Sequence, residues 1–260
     1  ALFHARLAEN RLLGLGAGDV VVHPEVAYPT YDVGARLAGA TPVPADATTA
    51  LGPGPVRLVW LNSPGNPTGV VATQEECAGI AKLSAEKNIA LISDEIYRKF
   101  CYDAPFASPC AANENTIVID GFSKSHAMTG WRLGFVHGPA EVIETMIKLQ
   151  QYTFVCAPQP VQWAGAVAMD VDTQPFIDAY RKKRDKLVNG LSDLYELTVP
   201  GGAFYAFPHA PKGMSGTDFV AKAIENDLLI IPGNIFSKKN THFRISYAAE
   251  DRTIDRGIEV

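Results

Sequence analysis

Cysteine is scarce in this chain, and the little there is carries no pattern. Cys77, Cys101, Cys110 and Cys156 are the only four in 260 residues, and no two stand in a CxxC spacing. That speaks against a disulfide framework or a thiolate zinc site and fits a reducing compartment such as the cytoplasm. The six histidines form no HxxxH pair, so no metal is assigned. No apolar stretch reaches the roughly 18 residues that span a bilayer, which argues against a membrane protein. Positive charge is short as well. The net charge is −5 and there is no basic stripe, a poor match to a nucleic-acid surface. The run Arg181-Lys182-Lys183-Arg184 comes nearest, but it sits in a helical pattern beside Asp178 and Asp185 and reads as a solvated helix face.

What is present fits an ordinary globular protein: 47% hydrophobic and 20% charged residues, enough chain for one large or two smaller domains. Strand-like runs fall near Val20–His23, Thr41–Pro44, Val56–Leu61, Ile89–Ser93, Thr116–Ile119 and Leu133–His137. Helical patterns separate several of them. Thr73-Gln-Glu-Glu76 has the form of a capping box opening a helix to about Lys87, and Pro139 opens another over Ala140–Gln150. This alternation predicts an α/β fold with a mostly parallel sheet flanked by helices. The pattern changes after about Asp172. The amphipathic stretch Gln174–Tyr195 precedes strand candidates at Tyr195–Val199, Ala203–Phe207, Leu228–Ile231 and His242–Ser246, with a helix over Ser215–Asp227. We therefore expect a large domain over 1–172 and a smaller α+β domain over 173–260. The chain opens on a helical pattern, Ala1 to Leu13, without an N-cap, and ends at Ile254–Val260 without a helix stop. It reads as a piece of a longer protein, so targeting is not read from it.

Three apolar runs each deliver polar groups at the carboxyl end, where open α/β sheets bind ligands. Val56–Asn62 leads into Ser63-Pro-Gly-Asn-Pro-Thr-Gly69, Asn88–Asp94 into Glu95-Ile-Tyr97, and Thr116–Ser123 into Lys124. Lys124 alone could be a surface lysine in a loop, and Asp94 could be a structural helix cap. Asn66, in Asn-Pro-Thr-Gly, is also good turn chemistry. Arg132, after Gly130-Trp131, could grip a phosphate in a fork, with Ser123 adding a hydroxyl. Tyr28 offers a flat ring for stacking or could be a core tyrosine. Arg244, embedded in His242-Phe-Arg-Ile-Ser-Tyr247, needs a partner, either a substrate carboxylate or a structural ion pair.

Taken together the set resembles the class I/II pyridoxal-phosphate aminotransferases, with an aspartate aminotransferase-like fold. The resemblance rests on Asn62–Gly69, Asp94-Glu-Ile-Tyr97, Ser123-Lys124 with Gly130–Gly134, and Arg244-Ile-Ser, in family-like order over essentially the whole chain. It implies pyridoxal 5′-phosphate as cofactor, Lys124 as its Schiff-base lysine and Asp94 on the pyridine nitrogen. It also implies Asn66 and Tyr97 on the phenolic oxygen, Ser123 and Arg132 on the phosphate, Tyr28 stacked on the ring, and Arg244 with Asn66 at the substrate. The implied reaction moves an amino group between a glutamate- or aspartate-type α-amino acid and a 2-oxo acid, in a homodimer. Tyr28–Pro44 resembles succinyldiaminopimelate aminotransferases, while the lysine region and C-terminal half are generic, so the substrate stays open. The same fold also serves β-lyases and the effector-sensing domains of transcription regulators. Three departures stand out. Gly121 replaces a hydroxylic phosphate ligand of many members, the family's Gly/Ser phosphate loop and N-terminal arm have no counterpart, and a short C-terminal helical piece looks clipped.

Overall fold

The computed structural model of the chain describes residues 14–44 and 55–260; the helix expected over 1–13 lies outside them. Six strands form one sheet: β1 (Val20–His23), β2 (Thr41–Pro44), β3 (Val56–Asn62), β4 (Ala90–Asp94), β5 (Ile117–Gly121) and β6 (Gly134–His137). Their order is β2-β1-β3-β4-β5-β6. All pairings are parallel except β5 with β6. The sequence reading of a mostly parallel sheet between helices is therefore correct, and all six expected runs are strands.

The central strands read as continuous apolar runs because both sheet faces are covered. Val21, Leu58, Trp60, Ile92 and Ile119 join one apolar cluster with Tyr31 of the helix Thr30–Leu37. Val22, Val59 and Leu91 join another with Ile80 and Ala81 of the helix Gln74–Glu86. Successive residues thus point to opposite faces, the period-two pleat of a strand. The capping box forms as expected: Glu76 N donates to Thr73 Oγ1 at 3.1 Å, and Thr73 N donates to Glu76 Oε2 at 2.7 Å.

A second, three-stranded antiparallel sheet has the order β7-β9-β8, from Tyr205–Ala206, Phe243–Ser246 and Ile231–Pro232. The two sheets draw on residues 20–137 and 205–246, on either side of the division expected near 172. Their packing is continuous. Ile96, Tyr97, Phe100 and Tyr102 share a core with Ile177, Leu187, Leu191, Phe204, Tyr205, Tyr247 and Ile254.

The structure corrects the sequence reading in several places. Tyr195–Val199 is not a strand. The Tyr195 ring instead packs edge-on against Phe219 and Phe243, so its apolar character serves the core and not a ladder. Ala203–Phe207 and Leu228–Ile231 shrink to two-residue strands. Helices at Thr30–Leu37 and Gln159–Ala168 were not anticipated, while the helical piece expected at the C-terminal end is the helix Asp251–Glu259. The basic run is not wholly solvated either. Arg184 is buried, with a two-pronged contact to Asp103 at 2.6 and 3.1 Å and a further bond to the Pro200 carbonyl. Burial of that guanidinium is compensated because nearly all its donors find acceptors.

Candidate active site

A cavity of about 440 Å³ opens at the carboxyl end of β3, β4 and β5. Register explains the convergence: Asn62 pairs with Asp94, and Asp94 with Ile119, so the three strands end nearly level. The chain reverses direction across the sheet between β1 and β3. There the loop after β1 and the loop after β3 diverge and leave a crevice. Tyr28, Asn66, Asp94, Tyr97, Ser123, Lys124, Arg132 and Arg244 all line it. Every site residue named from sequence is therefore on one wall or another of the same cavity.

Asp94 is buried at the strand end, not at a helix start. Tyr31 Oη donates to its Oδ2 at 2.9 Å, and Ile96 N donates to its Oδ1 at 3.4 Å. Asn62 braces the two loops, donating from Nδ2 to the Asp94 carbonyl at 3.0 Å while its Oδ1 accepts from Asn66 N at 3.0 Å. Asn66 does sit in a turn, but its side chain is also engaged, accepting from Arg244 Nη1 at 3.0 Å. Among the described residues no carboxylate pairs with Arg244. Its guanidinium lies 4.6 Å from the Tyr205 ring and 4.8 Å from the Phe236 ring. Its Nε is buried without a hydrogen-bond partner.

Lys124 follows directly from β5, in the short helix Phe122–Ser125. It is half-buried, with Nζ 6.0 Å from the Tyr97 ring and 5.9 Å from the Phe204 ring. Desolvation first, then the charges of Arg132 and Arg244, pull its pKa below the ordinary lysine value. All three act in the same sense, because each disfavours the ammonium form. Burial raises the Tyr97 hydroxyl well above its usual pKa, so this group stays a neutral hydroxyl. Arg132 is exposed and adopts a left-handed backbone conformation, φ 56°, with Nη1 bonded to the Thr129 carbonyl at 2.8 Å. Tyr28 is 42% exposed, so it is a wall of the cavity and not a core tyrosine.

Gly121 has a steric reason. A Cβ there would stand 2.9 Å from Gly134 Cα and 3.0 Å from the Leu133 carbonyl, because β6 runs too close to admit a side chain. Sequence reasoning passed over Thr30, Tyr31, Asn62, Ile96, Thr129 and Tyr205, which also line the cavity. Asn62 had a signal, as the polar residue closing an apolar run. Tyr31 and Tyr205 had none, since a buried tyrosine in an apolar segment reads as core. Among the described residues no group of three or more His, Cys, Asp or Glu could hold a metal ion. No helix among them is long and apolar enough to cross a membrane.

Comparison with known proteins agrees with this geometry. The family profile for aminotransferase class I and II matches residues 4–260. A probable aspartate aminotransferase of Methanocaldococcus jannaschii is 34% identical over 78% of this chain and 57% of its own length. A probable N-acetyl-LL-diaminopimelate aminotransferase of Bacillus subtilis is 35% identical over 94% of this chain and 67% of its own. The chain thus spans about three fifths to two thirds of these curated relatives. The crystal structure of an aromatic aminotransferase from Pyrococcus horikoshii superposes with a TM-score of 0.93 at 31% identity, covering 99% of this chain and 75% of that one. A profile that runs unbroken through both sheets, joined to this likeness of fold, leaves one conclusion: the chain belongs to the class I and II aminotransferases.

Proposed function

We propose that this chain forms the cofactor-holding core of an aminotransferase that moves an amino group between an α-amino acid of the glutamate or aspartate type and a 2-oxo acid. Class I and II aminotransferases of this kind use pyridoxal 5′-phosphate. The observation that carries the reading is the cavity itself. It sets a lysine with a lowered pKa, a buried carboxylate and two arginines around one space. The donor set fits the cofactor and an amino acid together. Arg244 Nε is a buried donor left for a carboxylate, and Tyr28 presents a partly exposed ring for stacking.

When bound, the cofactor supplies an electron sink for the pair left behind as the substrate Cα–H bond breaks. Asp94 would keep the pyridine nitrogen protonated, which that sink requires. Its bonds from Tyr31 and Ile96 aim the carboxylate. Asn66 and Tyr97 would donate to the phenolic oxygen, and Ser123 with Arg132 would hold the phosphate. Lys124 Nζ would hold the cofactor covalently in the resting protein and, once displaced by the substrate's own amino group, would be free to take the substrate's Cα proton. A lowered pKa keeps more of that amine neutral and able to do so. Arg244 would clamp the substrate α-carboxylate in a fork. We further propose a homodimer. Trp163 and Val167, one turn apart on the helix Gln159–Ala168 and each 69% exposed, are the kind of apolar side chains that a second subunit covers. Analytical ultracentrifugation tests that part, and a sedimentation coefficient of a monomer at micromolar concentration refutes it.

Borohydride reduction of the cofactor-loaded protein, followed by peptide mapping, should label Lys124. A label on Lys82 or Lys148 overturns the assignment. Product analysis with glutamate and a 2-oxo acid should show one amino group transferred per oxo acid formed. With an amino acid that carries a leaving group on Cβ, release of oxo acid and ammonia without that transfer identifies a β-lyase instead.

A further inference from the structure

Tyr205 lines the cavity and touches both Tyr97 and Arg244. Its hydroxyl is 3.0 Å from the Tyr97 hydroxyl, and its ring faces the Arg244 guanidinium at 4.6 Å. It is 6% exposed and is held by β7, where it pairs with Ser246 on the same strand that carries Arg244. Around the pair stand Lys124, Asp94, Tyr28, Tyr31, Arg244 and Tyr180.

We infer that Tyr205 is a positioning residue with two separable tasks, its hydroxyl orienting Tyr97 and its ring fixing Arg244. This rests on the cofactor reading above. Each tyrosine has one O–H. If Tyr97 spends its proton on the cofactor's phenolic oxygen, the 3.0 Å contact can be a hydrogen bond only with Tyr205 as donor. A Tyr97 oxygen that accepts from Tyr205 is a stronger donor onward, because hydrogen bonds in series polarise one another. The ring acts differently. Tyr205 and Phe236 both lie against the guanidinium, at 4.6 and 4.8 Å, and so hold it in place on the cavity lining.

The two tasks separate by substitution. Tyr205→Phe keeps the ring and deletes the hydroxyl, whereas Tyr205→Leu deletes both. The first readout is the pH midpoint of the visible absorbance of the lysine-bound cofactor, taken without substrate. A weaker Tyr97 donor stabilises the phenolate less, so the bound nitrogen holds its proton to higher pH. Tyr205→Phe is expected to raise the midpoint by about half a pH unit, since one neutral hydrogen bond acts at one remove. The amino-acid KM should stay within about twofold in that variant. Tyr205→Leu should raise the midpoint similarly and also raise that KM about three- to tenfold, the range of a partly desolvated cation–π contact. With Tyr97→Phe already present, adding Tyr205→Phe should shift the midpoint no further, because the relay is already cut. An unmoved or lowered midpoint in Tyr205→Phe, or full additivity with Tyr97→Phe, overturns the inference. Absence of any lysine-bound absorbance band in the unmodified protein sinks the cofactor reading and this inference together. A normal band with an unmoved midpoint sinks this inference alone.

Discussion

Arg244 reaches over 178 residues of chain to donate from Nη1 to the Asn66 side-chain oxygen at 3.0 Å. The bond joins the loop after β3 to the second sheet and leaves Arg244 Nε as a buried donor on the cavity wall. Lysine cannot reproduce that fork. Arg244→Lys is expected to lower kcat/KM for an α-amino acid by roughly 2–4 kcal/mol in transition-state terms, the scale for losing one partner of a buried charge pair. The decarboxylated amine should lose far less, because it never engages the guanidinium. Equal losses for the two substrates would make Arg244 a support of the fold only.

Asp94 is expected to govern rate more than cofactor capture. Asp94→Ala should retain measurable cofactor by equilibrium dialysis yet lose about a hundredfold or more in kcat, since an unprotonated pyridine is a poor electron sink. Near-normal turnover in that variant would reduce the carboxylate to a brace for Tyr31 and Ile96.

Asp120 gives the fold a pH dependence of definite sign. Burial pushes its pKa up from 3.8 to about 6, against the pull of the Gly121 amide and of Arg98 at 2.8 Å. A raised folded-state pKa means that the native state holds the proton longer than the unfolded chain does. This group's contribution is therefore complete below about pH 4 and is lost as pH rises through about 6. The loss across that window is on the order of 3 kcal/mol, from the per-unit conversion. Asp120→Asn should flatten the stability profile between those limits, measured by urea unfolding at closely spaced pH values. Superimposable slopes for the two proteins would show that Asp120 does not titrate there.

Gly69 closes the loop that carries Asn66, with φ +69°. A Cβ at this position would meet Pro200 Cβ at 2.5 Å and the Tyr205 carbonyl at 2.8 Å. Gly69→Ala should therefore cost about 1–2 kcal/mol from the left-handed backbone, plus the displacement of neighbouring backbone. Denaturant unfolding should show a loss of at least about 2 kcal/mol, with weakened cofactor binding because the Asn66 loop shifts. A variant as stable as the parent would mean that the loop repacks freely.

Much of the sheet was legible in the sequence for one physical reason. Strands buried on both faces, such as Leu58–Trp60 and Leu91–Ile92, leave unbroken apolar runs, and the polar residue that ends each run marks the cavity edge. Asp94 and Lys124 stand out on that ground once the runs are read together, though either one alone has an ordinary structural reading. Tyr31 and Tyr205 do not, because a hydroxyl on an otherwise core-like ring gives no signal until its partner 63 or 108 residues away is in place. The helix Gln159–Ala168 escaped for another reason. Trp163 and Val167 lie on its exposed side, so its apolar residues show no stripe. The buried Arg184 was misjudged because its acceptors, Asp103 and the Pro200 carbonyl, come from elsewhere in the chain.

The place of β1 between β2 and β3 also sets when the cavity can exist. Tyr28 follows β1, Asn66 follows β3 and Arg244 lies on β9, so these three meet only in the assembled fold. The stretch from β3 to β5 supplies one wall, and the others come from segments far away in the chain, contacts of the kind that slow folding. A ligand that needs all these walls binds the native state and not the unfolded chain, so filling the cavity shifts the folding equilibrium by mass action. Occupancy and foldedness in this protein are therefore linked equilibria, each favouring the other.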